Sequence, residues 1–171
     1  SFRCQDYFDN RHPNYVGHIG IGLSNSLKDR IQNSDLLVVV GARLGEITTS
    51  GYSLLEIPKP KQQLIHVHAG AEELGSVYQA DLPINASPRS FVDSISQLKV
   101  SGSSQWTAST KLGNSDYLET LVPKAIPGDV QMGQIACWLN ETLPEDAIIC
   151  NGAGNYATWM HRFYQYRQYR T

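Results

Sequence analysis

Nowhere in the 171 residues does an apolar run approach the roughly 20 that a membrane helix needs, so no membrane partner is expected. Cysteine is scarce. Cys4, Cys137 and Cys150 are the three present, and no two of them form a CxxC pair. That excludes a disulfide framework and a zinc ribbon, and a sparse, odd set fits a reducing cytoplasm. Charge of one sign is also missing. The net charge is −2, and the 14 basic residues are dispersed. Neutralising nucleic-acid phosphates takes clustered Lys and Arg, so no nucleic-acid partner is expected. The densest exception, Arg162-Phe163-Tyr164-Gln165-Tyr166-Arg167-Gln168-Tyr169-Arg170, reads either as a stacking surface for single strands or as a packed segment. There is no initiating methionine, signal peptide or internal repeat. Both ends read as cut.

What is present is globular: 41% hydrophobic and 18% charged residues. The chain is organised around Asp35-Leu36-Leu37-Val38-Val39-Val40-Gly41-Ala42-Arg43-Leu44-Gly45-Glu46. An unbroken run of five apolar residues predicts a strand buried on both faces at the centre of a parallel α/β sheet. The carboxyl ends of such strands are where ligands bind, which makes Gly41 and Arg43 candidates. Arg43 could equally pair with Glu46 or Asp35.

The flanking elements follow in order. Gly17, Gly20 and Gly22 make a flexible loop that could cradle phosphate or serve as a packing turn. Ser24 or Asn25 caps a helix whose face is Leu23, Leu27 and Ile31. Leu64–His68 predicts a second strand. His66 and His68 share one face of it, which suits a metal or a structural role. Leu82–Ala86 predicts a short third strand. Ser87-Pro88 starts a helix with Phe91, Ile95 and Leu98 turned to the sheet. Residues 99–126, with Ser101-Gly102-Ser103-Ser104 and Gly113-Asn114-Ser115 around Trp106, predict a linker, with a helix possible from Asp116 to Lys124. Met132, Ile135, Ala136, Leu139 and Leu143 predict a helix, and Ala147–Cys150 a buried strand. The turn Asn151-Gly152-Ala153-Gly154-Asn155 then leads to a helix holding Trp159. The fold class is α/β: a Rossmann-like parallel sheet over 1–98, then an incomplete second α/β unit over 127–171.

Together, His12-Pro13-Asn14-Tyr15-Val16-Gly17-His18-Ile19-Gly20, Asp35–Gly45 with Thr48-Thr49-Ser50-Gly51, Leu64–His68 and Ala80-Asp81-Leu82-Pro83-Ile84 resemble the central domain of thiamine-diphosphate-dependent enzymes. The acetolactate synthase-like branch is the nearest in pattern. Residues 127–171 resemble the start of the same enzymes' C-terminal, diphosphate-binding domain. The resemblance implies decarboxylation of a 2-oxo acid and transfer of the remaining carbon unit to a second carbonyl. It implies thiamine diphosphate and Mg²⁺ as cofactors, FAD or ADP in some members, and a homo-oligomer.

Carried over residue by residue, Gly20 falls in the segment that touches flavin in FAD-binding relatives. Gly41 and Arg43 match a Gly-x-Arg that contacts adenosine diphosphate, and Arg suits phosphate through its planar fork. Ala153, Gly154, Asn155 and Tyr156 fall where the family contacts thiamine diphosphate. The second strand departs from the flavin pattern: His66-Val67-His68-Ala69-Gly70 lacks the acidic residues that hold ribose, leaving Glu72 or Glu73 to substitute. The activating glutamate and the Mg²⁺-holding Gly-Asp-Gly motif have no counterpart in these residues, so the chain by itself is not expected to be catalytic. Two other readings share the layer: a scaffold domain with a vestigial nucleotide edge, and an independent NAD- or nucleotide-binding module.

Overall fold

A computed structural model describes residues 1–99 and 104–171. The chain forms two compact units, one of residues 1–27 with 105–171 and one of residues 28–104.

The second unit holds a sheet of three parallel strands, β1 (Leu36–Val40), β2 (Gln63–His68) and β3 (Leu82–Asn85), in that spatial order. Val38 pairs with Ile65 and Val67 with Ile84. Parallel neighbours joined by crossovers make the Rossmann-like α/β layer. The core lies on β2, where Leu64 and Val67 are fully buried. Its register is pinned by Asp81, whose carboxylate accepts the Leu64 amide at 2.8 Å while its own amide donates to the Leu64 carbonyl at 2.9 Å. Lys59 pairs with the same carboxylate and holds it below the usual carboxylate range.

The expectation of a doubly buried β1 is corrected here. β1 is an edge strand, with Leu36, Val38 and Val40 all exposed. Among the described residues nothing pairs with its outer side, and it is β2, flanked on both sides, that is central. α1 (Asn25–Gln32) precedes the sheet, with Ser24 Oγ accepting the Leu27 amide at 3.3 Å. α2 (Pro88–Ile95) is capped by Ser87, with Pro at its start. Its expected sheet-facing residues are largely open, Ile95 at 42% and Leu98 at 67% exposure.

In the first unit, α3 (Ser104–Thr120) occupies much of the stretch expected to be a linker; Ser101, Gly102 and Ser103 lie outside the described residues. Packing overrides the Ser/Gly composition there. Tyr117 is buried, its ring meeting Tyr15 edge-on at 4.9 Å. Asn114 donates to the Tyr15 carbonyl at 2.8 Å. α4 (Met132–Thr142) packs on α5 (Ala157–Phe163). Gly133 permits this approach, because a Cβ there would lie 2.8 Å from Pro123 and 3.3 Å from Phe163. The expected strand Ala147–Cys150 does not form. Ile148 is 71% exposed, and an extended segment without a partner strand satisfies no ladder.

Candidate functional site

Two of the sequence candidates lie at the carboxyl end of β1. Gly41 takes φ +72° and donates its amide to the Val67 carbonyl at 2.8 Å. A Cβ there would lie 2.6 Å from Pro88 Cγ. The close approach that demands glycine is therefore to the start of α2. Arg43 does not pair with Glu46 or Asp35; its Nε donates to Glu73 Oε2 at 2.9 Å. The adjoining cavity measures about 40 Å³, room for a water-sized group and not for a nucleotide. His66 is buried on the neighbouring strand and donates from Nε2 to the Ala42 carbonyl at 3.0 Å. His68 Nδ1 lies 3.1 Å from the Gly70 amide, which donates to it. Both rings thus serve the backbone of the turn. Among the described residues no group of three His, Cys, Asp or Glu converges as a metal site.

Gly20 lies in the first unit, at φ +108°, where Phe2 covers the face that a side chain would fill. Of the remaining candidates, Ala153, Gly154 and Asn155 line a cavity of about 550 Å³ in the same unit, the size range of small-molecule sites, and Tyr156 is not among its lining residues. One wall is the turn Asn151–Asn155 leading into α5. A Cβ at Gly152 would run into the hydroxyl of Tyr156 and one at Gly154 into its ring, which folds back over the turn. The Gly154 amide is taken by the Gly152 carbonyl at 3.2 Å. The amides of Ala153 and Asn155, and the Asn155 side-chain amide, donate to nothing among the described residues. Unpartnered donors on an open wall suit an anion. Ala157, Ile21 and Ile149 supply an apolar side, and Arg3, Asp6 and His161 a polar one.

The amino-terminal wall is positioned by Asn10, which is fully buried. Its Nδ2 donates to the Gln5 carbonyl at 2.9 Å and the Phe8 carbonyl at 2.7 Å, and its Oδ1 accepts the Tyr166 amide at 3.0 Å. Composition and periodicity carry no sign of this residue, nor of Arg3 and His161, because each acts across more than 140 positions of sequence. A lone Asn in a loop-like stretch otherwise reads as a turn former.

Burial shapes the protonation of this unit. Desolvation first, then the neighbouring His161, the amino terminus and Arg162, depress His18 to about 4; its Nε2–H donates to the Ile21 carbonyl at 3.1 Å, which opposes the shift. His161 is lowered by burial first and by Arg3 second. Both rings therefore fold neutral. Above the ordinary histidine value near 6.5 neither affects stability; as pH falls from there toward 4, the unfolded chain takes up protons that the folded one refuses. Ideal linkage for His18 is about 3 kcal/mol, which partial solvent access reduces to about 2 kcal/mol. Urea unfolding at pH 7.5 and 4.5 is expected to show this loss, with His18→Gln abolishing most of it. An equal loss in the variant would assign the effect to other groups.

Residues 1–95 match the family model described as thiamine pyrophosphate enzyme, central domain. Across 177 aligned positions the chain is 25% identical to the acetolactate synthase large subunit of Corynebacterium glutamicum, an alignment covering 96% of this chain and 26% of that relative. The chain thus spans about a quarter of the length of the curated relative it matches.

Proposed function

The chain belongs to the thiamine pyrophosphate enzymes through their central domain, and from that premise we propose that it is part of an acetolactate synthase-like enzyme acting on a 2-oxo acid. The observation that carries this reading is the cavity beside Asn151–Asn155, with its unpartnered donors at Ala153 and Asn155. These donors fit a diphosphate. The amides of Ala153 and Asn155 and the Asn155 side chain would hold it, while Tyr156 shapes the turn. Ile21, Ile149 and Ala157 would exclude water from one side. Bound thiamine diphosphate supplies an electron sink for the carbon that loses CO₂; this chain contributes binding and orientation. Mg²⁺ accompanies the diphosphate in this reading, and its ligands are not assigned among the described residues. The division into 1–98, 99–126 and 127–171, the homo-oligomer and the second carbonyl substrate belong to the same proposal.

Titration calorimetry of the chain with thiamine diphosphate and Mg²⁺ tests it. Asn155→Ala is expected to weaken binding about tenfold, the loss of one hydrogen bond to a charged group, and thiamine without phosphates to bind equally poorly to both proteins. Equal diphosphate affinity in the variant would remove Asn155 from the site.

For the β1 edge a scaffold role is the better-supported reading, because Glu73 already neutralises Arg43 and Pro88 fills the glycine's open side. ADP and FAD are expected to leave the melting midpoint of the chain unchanged. Glu73→Gln frees the guanidinium and removes a negative charge, and is the variant in which an ADP shift should first be seen. A clear shift in the unaltered chain, lost in Arg43→Ala, would reverse this reading and restore a working nucleotide edge.

A further inference from the structure

His18 and His161 meet inside the unit that carries the large cavity, their ring centroids 6.3 Å apart. Together they close a short segment, residues 17–22, against α5, and few contacts help them. His18 Nε2–H donates to the Ile21 carbonyl and turns the segment back on itself. Arg162 of α5 reaches the Gly22 carbonyl at 3.4 Å. Phe2 fills the face of Gly20, donates its amide to the Ile19 carbonyl at 3.0 Å and meets His161 edge-on at 5.5 Å. Gly17 and Gly22 bracket the segment at positive φ, so its two ends can turn where other residues would resist. Ile21 of this segment lines the large cavity, as do Phe2 and His161. The charged groups acting on the two rings are cationic. Arg162 and the amino terminus act on His18, and Arg3 acts on His161. On α3, Tyr117 lines the small hollow shared by His18 and Arg162; burial raises its hydroxyl to about 12, so it stays neutral. Asp6 stands on the cavity wall with His161, and its carboxylate accepts the Arg170 amide. Among the described residues neither ring, nor Arg3 or Arg162, forms an ion pair with a carboxylate. The buried Nδ1 of His161 has no hydrogen-bond partner there either. A proton added to the pair is enclosed with like charge and no counter-ion.

We propose that the His18–His161 pair is a proton-operated latch: neutral rings hold residues 17–22 and Ile21 against α5, and protonation frees the segment and opens that wall of the cavity. Histidine suits the task because its charge changes closest to neutral pH. The relief is local. Swinging the segment outward separates the two rings and gives each of them water, while α4 and its packing on α5 stay in place. The sign follows from linkage: the open form binds protons more tightly than the closed one, so falling pH favours opening. The latch does not depend on which ligand the cavity takes.

Hydrogen exchange of the whole chain at pH 7.5 and 4.5, corrected for the intrinsic pH dependence of exchange, tests this. The Phe2 and Leu23 amides, bonded to the Ile19 and Gly20 carbonyls, report on the segment. The amide of Ala136, a fully buried residue inside α4, reports on the rest of the unit. Opening at Phe2 and Leu23 is expected to rise more than about tenfold between the two pH values, with a clearly smaller rise at Ala136. His18→Gln and His161→Gln keep a polar side chain that takes up no proton. Each should reduce the rise and the double variant should flatten it, even where its opening at pH 7.5 is already higher. Circular dichroism at pH 7.5 checks that the variants are folded. Imidazole proton resonances of the unaltered chain give a second reading, with both midpoints expected below the ordinary value near 6.5. Equal rises at all three amides overturn the proposal, because acid then opens the unit as a whole. An undiminished rise in the double variant, or imidazoles of the unaltered chain that titrate at the ordinary value with no rise in opening, overturns it as well.

Discussion

Asn10→Ala is expected to cost about 3 kcal/mol in the unit that carries the large cavity. The substitution removes three hydrogen bonds at once, those to the carbonyls of Gln5 and Phe8 and that from the Tyr166 amide, and leaves the Gln5 carbonyl with only the long bond from the Phe8 amide at 3.5 Å. Each unpartnered buried group costs about 1–3 kcal/mol. Relaxation toward solvent recovers part of that, since Phe8 is itself exposed. The backbone bond from the Asn10 amide to the Tyr166 carbonyl, 2.8 Å, remains and limits the loss. The stretch from Phe2 to Asp6 meets the segment 166–170 through this side chain and through Asp6, whose carboxylate accepts the Arg170 amide at 3.0 Å, so the substitution should loosen that wall of the cavity as stability falls. Urea unfolding gives the energy, and hydrogen exchange at the Tyr166 amide shows whether opening is local. Arg11→Ala is the contrast: Arg11 bridges Asp9 and Glu145 at 2.9 and 2.6 Å, all at the surface, and its loss should cost under about 1 kcal/mol. A cost for Asn10→Ala no larger than for Arg11→Ala would mean that Asn10 does not organise the wall.

In the other unit, Leu64→Ala should cost about 3 kcal/mol, and Leu36→Ala under about 1 kcal/mol. Both residues are leucines paired within the same parallel sheet, Leu36 with Gln63 and Leu37 with Leu64. They differ in burial: Leu64 is fully enclosed and Leu36 is 43% exposed. A truncated core leucine loses its transfer free energy and leaves a cavity, about 2–5 kcal/mol in all; an exposed one loses little of either. Denaturant midpoints of the two variants, at unchanged slope, decide it. Equal costs would show that β1 is covered in solution and that its outer face belongs to an interior.

Several elements are legible in the sequence alone. The strand at Leu36–Val40, the strand at Leu64–His68 and the short strand at Leu82 follow from β-branched and apolar runs bounded by Gly and Pro. The Ser87-Pro88 start of α2 and the periodic face of α4 follow from capping chemistry and helical spacing. These are local signals, and local signals suffice to state what a segment is. They do not state what it touches. The apolar run of β1 reads as core because hydrophobicity reports a need for burial, whereas position in the sheet reports whether that need is met. The Gly- and Ser-containing stretch of α3 reads as linker because its propensities are poor, and Tyr117 and Asn114 secure it by contacts with Tyr15.

The site divides in the same way. The turn Asn151–Asn155 and the glycine at 41 are visible as residue types in a pattern, and so is the family resemblance, which is a statement about order and spacing. That Arg43 faces Glu73, that Pro88 fills the space beside Gly41, and that Arg3 and His161 line the same cavity as Asn155 are facts of tertiary packing. By itself the sequence determined an α/β layer of thiamine pyrophosphate type and the segments that build it, because periodicity, capping and turn chemistry act within a few residues. Only the tertiary structure decided which strand is the core, which edge is closed and which residues surround the open cavity. Those depend on contacts between positions up to some 160 residues apart, where no local propensity reaches.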